Sequence, residues 1–452
     1  MKHDLNIKQN KKTIKLIAAT IISMVVIIPS VVQINRYFNT KPEKTTVTNK
    51  RQLSIPQTAK EIVEDMKLGW NLGNTLEAFD GQNKQTEASY YETLYQNPVT
   101  TNQMITTVKE AGFNAIRIPV AWHDHIYYID ETGNKIKQID INNLTVEQIK
   151  NIKIEKDWLA RVKEIVNYAK DNEMYVILSI HHDMNSWISV NSDSSQRQKY
   201  EAVLAMLWKQ IAEEFKDYNH QLLFEGYNEL MPEENTISNE TTAVTNNYFE
   251  TANRLNQKFV DTVRNTGGNN KTRFLVLNTY DAKVSEEVIA NFIFPEDTIE
   301  NHLILSAHLY DELGEYQSEA NNDLYESLKR LSDKANDKNA GLIIGEFGTN
   351  TGLIGEETAA IANNYYVRTA KSLGITCFYW DEGTSTNATI NLLDRNTLTW
   401  LYPKVIEGLV KGAEQQDLST NEIGLLSDRS STIKGISIAT KQRKQYIKKQ
   451  KN

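Results

Sequence analysis

The chain has 452 residues, 40% hydrophobic and 24% charged, as in a globular protein with room for one large barrel or two to three ordinary domains. Its net charge of −8 is uneven: residues 1–51 carry 10 Lys/Arg against 2 Asp/Glu and residues 416–452 carry 8 against 3, so the body between them holds −21. An acidic body does not suit nucleic acid, whose phosphates demand a basic surface, and it suits a neutral substrate; the single cysteine, Cys377, rules out an intramolecular disulfide and says nothing of compartment.

In chain order, Lys2, Lys8, Lys11, Lys12 and Lys15 precede an uncharged apolar stretch at 16–35, long enough to span a bilayer and apolar all round. No small-x-small cleavage site follows. Residues 1–35 are therefore expected to be a signal-anchor in preference to a cleaved signal peptide, and either way the body is expected to be exported. Residues 36–56 are polar and read as a stalk. Short apolar runs then recur at 67–72, 113–120, 175–183, 222–230, 273–280, 302–310, 341–349 and 375–382. Helical periodicity fills the segments at 157–173, 198–215, 246–268, 323–335 and 357–374. Gly267, Gly268 and Gly374 stand where helix C-caps belong. Strands alternating with helices imply parallel pairing, and eight units predict an α/β fold of the (β/α)₈ TIM-barrel type over residues 57–415. A doubly wound open sheet is the alternative, but the chain has no glycine-rich dinucleotide or P-loop fingerprint. Residues 416–452 lack a sustained apolar period and read as a basic, disordered tail.

Active sites of such barrels lie at the C-terminal ends of the strands. Those ends are polar here: His181-His182-Asp183 on the third run, Asn228-Glu229 on the fourth, His308 and Tyr310 on the sixth, Glu346 on the seventh and Trp380 on the eighth, with Arg117 interrupting the second. Each residue alone has a bland structural explanation; all of them together at one level do not. Glu229 and Glu346, three strands apart, are the equipment of a glycosidase, one protonating the leaving oxygen while the other attacks the anomeric carbon or activates water. An adjacent guanidinium, Arg117, favours the charged form of Glu346. Glu229 is expected to need a raised pKa to act as an acid near neutral pH. A metal reading of His181, His182 and Asp183 competes, but successive residues of a continuous strand point to opposite faces, and a metal site needs about three converging protein ligands. No metal or cofactor is expected.

At these residues the chain resembles glycoside hydrolase family 5, the cellulase-type endoglucanases. The matching stretches are GWNLGNTLEA (69–78), NPVTT (97–101), GFNAIRIPVAW (112–122), YVILSIHHD (175–183), LLFEGYNE (222–229), AHLYD (307–311), IIGEFG (343–348) and FYWDEG (378–383). The resemblance implies that Glu229 is the general acid/base and Glu346 the nucleophile. It implies that Arg117 and Tyr310 contact the nucleophile, Asn228 holds the sugar 2-hydroxyl, His181 and His308 shape the hydrogen-bond network, and Trp380 is the platform under the cleaved sugar. It implies retention, no cofactor and a polysaccharide substrate of the β-1,4-glucan type. Leu230 replaces the family's usual Pro, and Glu382 its frequent Asn; both bear on substrate choice, so xyloglucan, mixed-linkage glucan and mannan stay open. Of the tryptophans, Trp158, Trp208 and Trp400 fall on predicted helices and read as packing. Trp122 and Trp187 follow strands on the active face and are candidate subsite walls, as are Trp70 and His125. A non-catalytic polysaccharide-binding barrel is the reading from another class, and the presence of both acids with their partners argues against it. Oligomeric state is not legible.

Overall fold

The computed structural model describes residues 56–80, 87–137, 139–183, 188–190, 194–231, 242–310, 324–384 and 389–416. The apolar stretch at 16–35, nearly all of the stalk, the basic tail beyond residue 416 and Trp187 lie outside the described residues. Among the described residues no helix is long and apolar enough to cross a membrane.

Eight parallel strands close into a barrel: β1 (Gly69–Leu72), β2 (Ala115–Val120), β3 (Tyr175–Ile180), β4 (Leu222–Glu225), β5 (Leu275–Asn278), β6 (Leu303–His308), β7 (Gly341–Phe347) and β8 (Thr376–Asp381). Each pairs with its sequence neighbours, and β1 closes on β8. Besides the short helices Ala88–Thr93, Val146–Lys150 and Thr351–Ile354, the described residues form α1 (Ala59–Met66), α2 (Asn102–Glu110), α3 (Lys156–Asp171), α4 (Ser194–Glu214), α5 (Thr242–Asn265), α6 (Glu286–Asn291), α7 (Leu324–Asn336), α8 (Glu356–Ser372) and α9 (Pro403–Ala413). α2 to α8 each connect consecutive strands. α5 and α8 stop short of Gly267 and Gly374, both at a positive φ of 76° that costs a residue without Cβ nothing.

Strand parity decides what faces inward. Alternate residues point to opposite faces. On β2, Ile116 and Ile118 join the core under the helices, while Ala115 and Arg117 face the barrel interior. On β4, Leu222 and Phe224 go outward and Leu223 and Glu225 inward. The lower interior is apolar, filled by Ala115, Tyr175, Ile177, Leu223, Val276 and Phe378 among others. α1 closes it from below. Thr58 caps that helix by accepting from the amide of Glu61, and Ala59, Ile62, Val63 and Met66 recur at helical spacing on its buried face. Burial of each larger side chain contributes about 1.5–3 kcal/mol. The Thr376 hydroxyl donates to the carbonyl of Val63 at 2.6 Å, and a Cβ on Gly341 would meet the Ala59 carbonyl at 2.6 Å, so β7 and β8 hold α1 at backbone contact.

Two sequence expectations need correction. The third, fourth and sixth strands end at Ile180, Glu225 and His308, so His181-His182-Asp183, Asn228-Glu229 and Tyr310 sit beyond them. The chain leaves β4 at Gly226, where a Cβ would strike the Phe259 ring at 2.9 Å. Trp400 is on a two-residue strand, Thr399–Trp400, paired with Leu393–Asp394, and it stacks on Phe113. Trp158 and Trp208 are buried on α3 and α4 as expected.

Candidate active site

Above the apolar layer, inward positions turn polar: Asn71 on β1, Arg117 on β2, Ser179 on β3, Glu225 on β4 and Asn278 on β5. The Arg117 guanidinium is fully buried and is the hub of this layer. Its Nε donates to Glu225 Oε2 at 2.5 Å. Nη1 donates to Glu346 Oε1 at 2.7 Å and to Asn71 Oδ1 at 3.1 Å, and Nη2 donates to Asn228 Oδ1 at 2.8 Å. Burial pushes the Arg117 pKa down, but the charges of Glu225 and Glu346 outweigh it and the net direction is up.

Glu346 reaches this hub because the register of β7 slips between Ile344 and Glu346 against β6. Such an irregularity re-aims a side chain. Its second oxygen, Oε2, accepts from the Tyr310 hydroxyl at 2.7 Å. Burial, and then the Glu346 charge, hold the Tyr310 pKa well above its ordinary value, so the phenol remains a donor.

Glu229 lies on the open side. Its side chain is 35% exposed, against 6% for Glu346. Its Oε1 meets His308 Nδ1 at 2.7 Å. For Glu229, burial pushes the pKa up, but the His308 hydrogen bond and the charges of His308 and Arg117 outweigh it, and the net direction is down. For His308, burial pushes down, and the charge of Glu346 and the bond to Glu229 carry it above 6.5. The raised value that acid function near neutral pH asks of Glu229 is not a property of the free site, where the direction is the opposite. The proton belongs to the Glu229–His308 pair, and in the free site it sits toward the imidazole.

His181 is buried and stacks nearly parallel to Trp380, with ring centroids 5.7 Å apart. Burial first, then the nearby His182 and Arg117, keeps it neutral. His182 is pushed down to about 4, chiefly by burial. The Asp183 carboxylate is spent on the backbone, accepting from the amides of Trp122 and His123. These three residues do not group as ligands. Among the described residues, Glu229, His308 and Glu346 do offer donor atoms within 4.8 Å of one another. Hydrogen bonds from Arg117 and Tyr310 already engage Glu346, and a guanidinium at that distance opposes a dication.

The remaining aromatic candidates are corrected. Trp70 faces outward from β1, is fully buried and donates to Asp381 Oδ2 at 2.9 Å, with Arg395 over its ring. Trp122 is fully buried, and His125 is stacked on Trp158 at 3.6 Å between centroids. None of the three offers a face to a ligand. Trp380 is 9% exposed, and the tight approach of Gly73, whose Cβ would lie 2.9 Å from the indole, fixes it.

Sequence reasoning missed Glu225. The signal was present: a carboxylate inside the apolar run LLFE needs a buried partner, and Arg117 is the basic residue that interrupts another strand.

Residues 79–385 match the profile of the cellulase family, glycosyl hydrolase family 5. The chain is 34% identical over 372 residues to endoglucanase A of Ruminococcus albus, covering 79% of this chain and 93% of that protein. Its fold is similar to that of a broad-specificity family 5 endoglucanase from Ruminococcus champanellensis with bound cellotriose, at a TM-score of 0.66 and 34% identity, over 78% of this chain and 98% of the other. A family 5 lichenase from Caldicellulosiruptor sp. F32, in complex with cellotetraose, also gives a TM-score of 0.66, at 36% identity over 80% of this chain and 96% of the other.

Proposed function

The chain belongs to glycosyl hydrolase family 5 and is an endoglucanase-type glycosidase, and on that premise we propose that it cleaves β-1,4-glucan chains internally by double displacement with retention. The observation that carries this reading is the spacing of the acids. Oxygens of Glu229 and Glu346 lie within 4.8 Å. Retaining enzymes hold their carboxyl groups about 5–5.5 Å apart, and inverting ones leave about 6.5–9.5 Å for a water.

Glu346 attacks the anomeric carbon. One donor on each oxygen, Arg117 and Tyr310, fixes its orientation. The glycosidic C–O bond breaks with its electron pair going to the leaving oxygen, which takes a proton from Glu229. That proton comes from the pair with His308, shifting from Nδ1 to the carboxylate as negative charge builds on the leaving group. Glu229, then ionised, takes a proton from water, and the water opens the glycosyl ester. Arg117 occupies Oδ1 of Asn228, so the amide N–H₂ is the end presented to the sugar 2-hydroxyl. Trp380, backed by His181, is the platform beneath the reacting sugar.

Mixed-linkage β-glucan is the second reading, favoured by the similarity to a lichenase. A panel of carboxymethylcellulose, mixed-linkage glucan, xyloglucan and mannan, followed by reducing ends and viscosity, separates them. A rapid viscosity fall with few new ends on carboxymethylcellulose is expected. Activity on mannan alone would contradict the β-glucan reading. Export is part of the same proposal, supported by the lysines ahead of the apolar stretch at 16–35. The full chain is expected to fractionate with membranes and to release with detergent. A mature N-terminus between residues 30 and 60 in the medium would replace anchoring with secretion.

A further inference from the structure

Glu225 is fully buried, and no sugar can reach it. It sits at the top of β4, facing inward above Leu223. One oxygen takes the Nε–H of Arg117, and the other accepts from Asn278 Nδ2 at 2.8 Å. Arg117 is thus divided between two buried carboxylates, Glu225 and Glu346. Only one of them takes part in the chemistry derived above.

Double displacement changes the charge of that one partner. When a Glu346 oxygen bonds to the anomeric carbon, the carboxylate becomes a neutral ester. The leaving oxygen departs with the glycosidic electron pair and the proton of Glu229. With Glu346 as its sole anionic partner, Arg117 would then be a buried, unpaired cation, which is costly in a site so dry. Glu225 takes no part in ester formation and remains the second carboxylate on the guanidinium, at 2.5 Å.

We propose that Glu225 is the standing counter-ion of Arg117, a positioning residue that divides the guanidinium charge so that Glu346 can cycle between anion and ester. The proposal rests on the double-displacement reading. Its consequence is directional. An undivided guanidinium stabilises the Glu346 anion more strongly. A more stable anion is a poorer nucleophile and a better leaving group. Loss of the Glu225 charge therefore slows formation of the glycosyl ester and speeds its hydrolysis.

The test uses the full chain and 2,4-dinitrophenyl 2-deoxy-2-fluoro-β-cellobioside, which forms the ester quickly relative to its breakdown. The readouts are the rate constant for dinitrophenolate release, the amplitude of that burst, and the rate at which activity returns after excess reagent is removed. In Glu225→Gln, ester formation is expected to slow and reactivation to quicken, each on the order of tenfold, the effect of one nearby charge. Glu225→Asp keeps the charge one methylene further back and is expected to shift both constants in the same directions by less. It carries the test if the Gln variant does not fold. A purely structural role would reduce the burst amplitude and leave both rate constants unchanged; that result overturns the proposal. A wild-type chain that is never trapped would instead remove double displacement itself, and the proposal with it.

Discussion

Arg117 and Arg273 are both buried, one at the mouth of the barrel and one at its base, and they are satisfied by opposite means. Arg273, just ahead of β5, donates to the carbonyls of Phe215, Tyr218, Asn219 and Leu222 and to the Asn270 side chain. It ties the end of α4 to the starts of β4 and β5. No carboxylate is among these partners, and burial together with the Arg264 charge lowers its pKa. Arg117 meets two carboxylates and two amide oxygens, and its pKa moves up. A guanidinium in a carbonyl cage is a knot in the chain. A guanidinium shared between carboxylates is a charge that chemistry at the site can draw on.

The comparison is sharpest if each arginine is removed. Arg117→Met leaves two buried carboxylates facing each other without a cation. Breaking a buried pair from one side costs about 3–5 kcal/mol, read by denaturant unfolding. Activity per folded molecule is expected to fall by on the order of 10²–10³, as for loss of one preorganised electrostatic donor. Arg273→Met strands carbonyls instead, and about 1–3 kcal/mol of stability is expected to go while kcat per folded molecule stays within about twofold. A catalytic collapse in Arg273→Met, or a silent Arg117→Met, would break the comparison.

The next effect is one of pH, and it belongs to the mouth alone. Glu229 is lowered from 4.5 and His308 raised from 6.5 in the folded chain. The stability contributed by Glu229 is present above 4.5 and lost as pH falls through its folded pKa. That contributed by His308 is present below 6.5 and lost as pH rises through its folded pKa. The pair therefore stabilises most between those values, and the difference in melting temperature between wild type and His308→Asn is expected to peak there. The basic limb of kcat/KM reports loss of the shared proton. It is expected above 6.5 in the wild type and at lower pH in His308→Asn. An unmoved limb would detach His308 from the acid. The smallest expected effect is that of prolonged chelation, which should leave activity intact. Loss restored by Zn²⁺ would bring Glu229, His308 and Glu346 into play as ligands.

Much of this was legible in the sequence. Apolar runs of strand length between helical periods gave eight strands in the right places, because burial on both faces leaves a continuous pattern. The polar residues after those runs gave the Glu229, Glu346, Arg117, His308 and Tyr310 constellation. Strand ends were less legible: the apolar-to-polar change after Ile180 and Glu225 marks the mouth of the barrel, but where pairing stops depends on contacts such as Gly226 against Phe259. Trp70 was misread although parity was available. Asn71 faces inward with Arg117, so its neighbour must face the helices. Trp122 and His125 follow a loop whose path is set by tertiary contacts, and no short-range pattern shows it. The Glu229 pKa was inferred from the acid role alone; the His308 contact that lowers it joins residues 79 apart in sequence.

The division of labour between Glu229 and Glu346 is read most directly from the configuration of an azide product. On an activated aryl β-cellobioside, Glu229→Ala keeps the nucleophile and loses the base, so glycosyl-enzyme accumulates and added azide speeds turnover. On polysaccharide the same variant is expected to lose activity by about 10²–10⁴, the contribution of general acid catalysis. The azide product expected from Glu229→Ala is the β-glycosyl azide, from two inversions. Glu346→Ala lacks the nucleophile, so any azide product is the α-anomer, from one. The α product from Glu229→Ala together with the β product from Glu346→Ala would contradict the assignment of both acids.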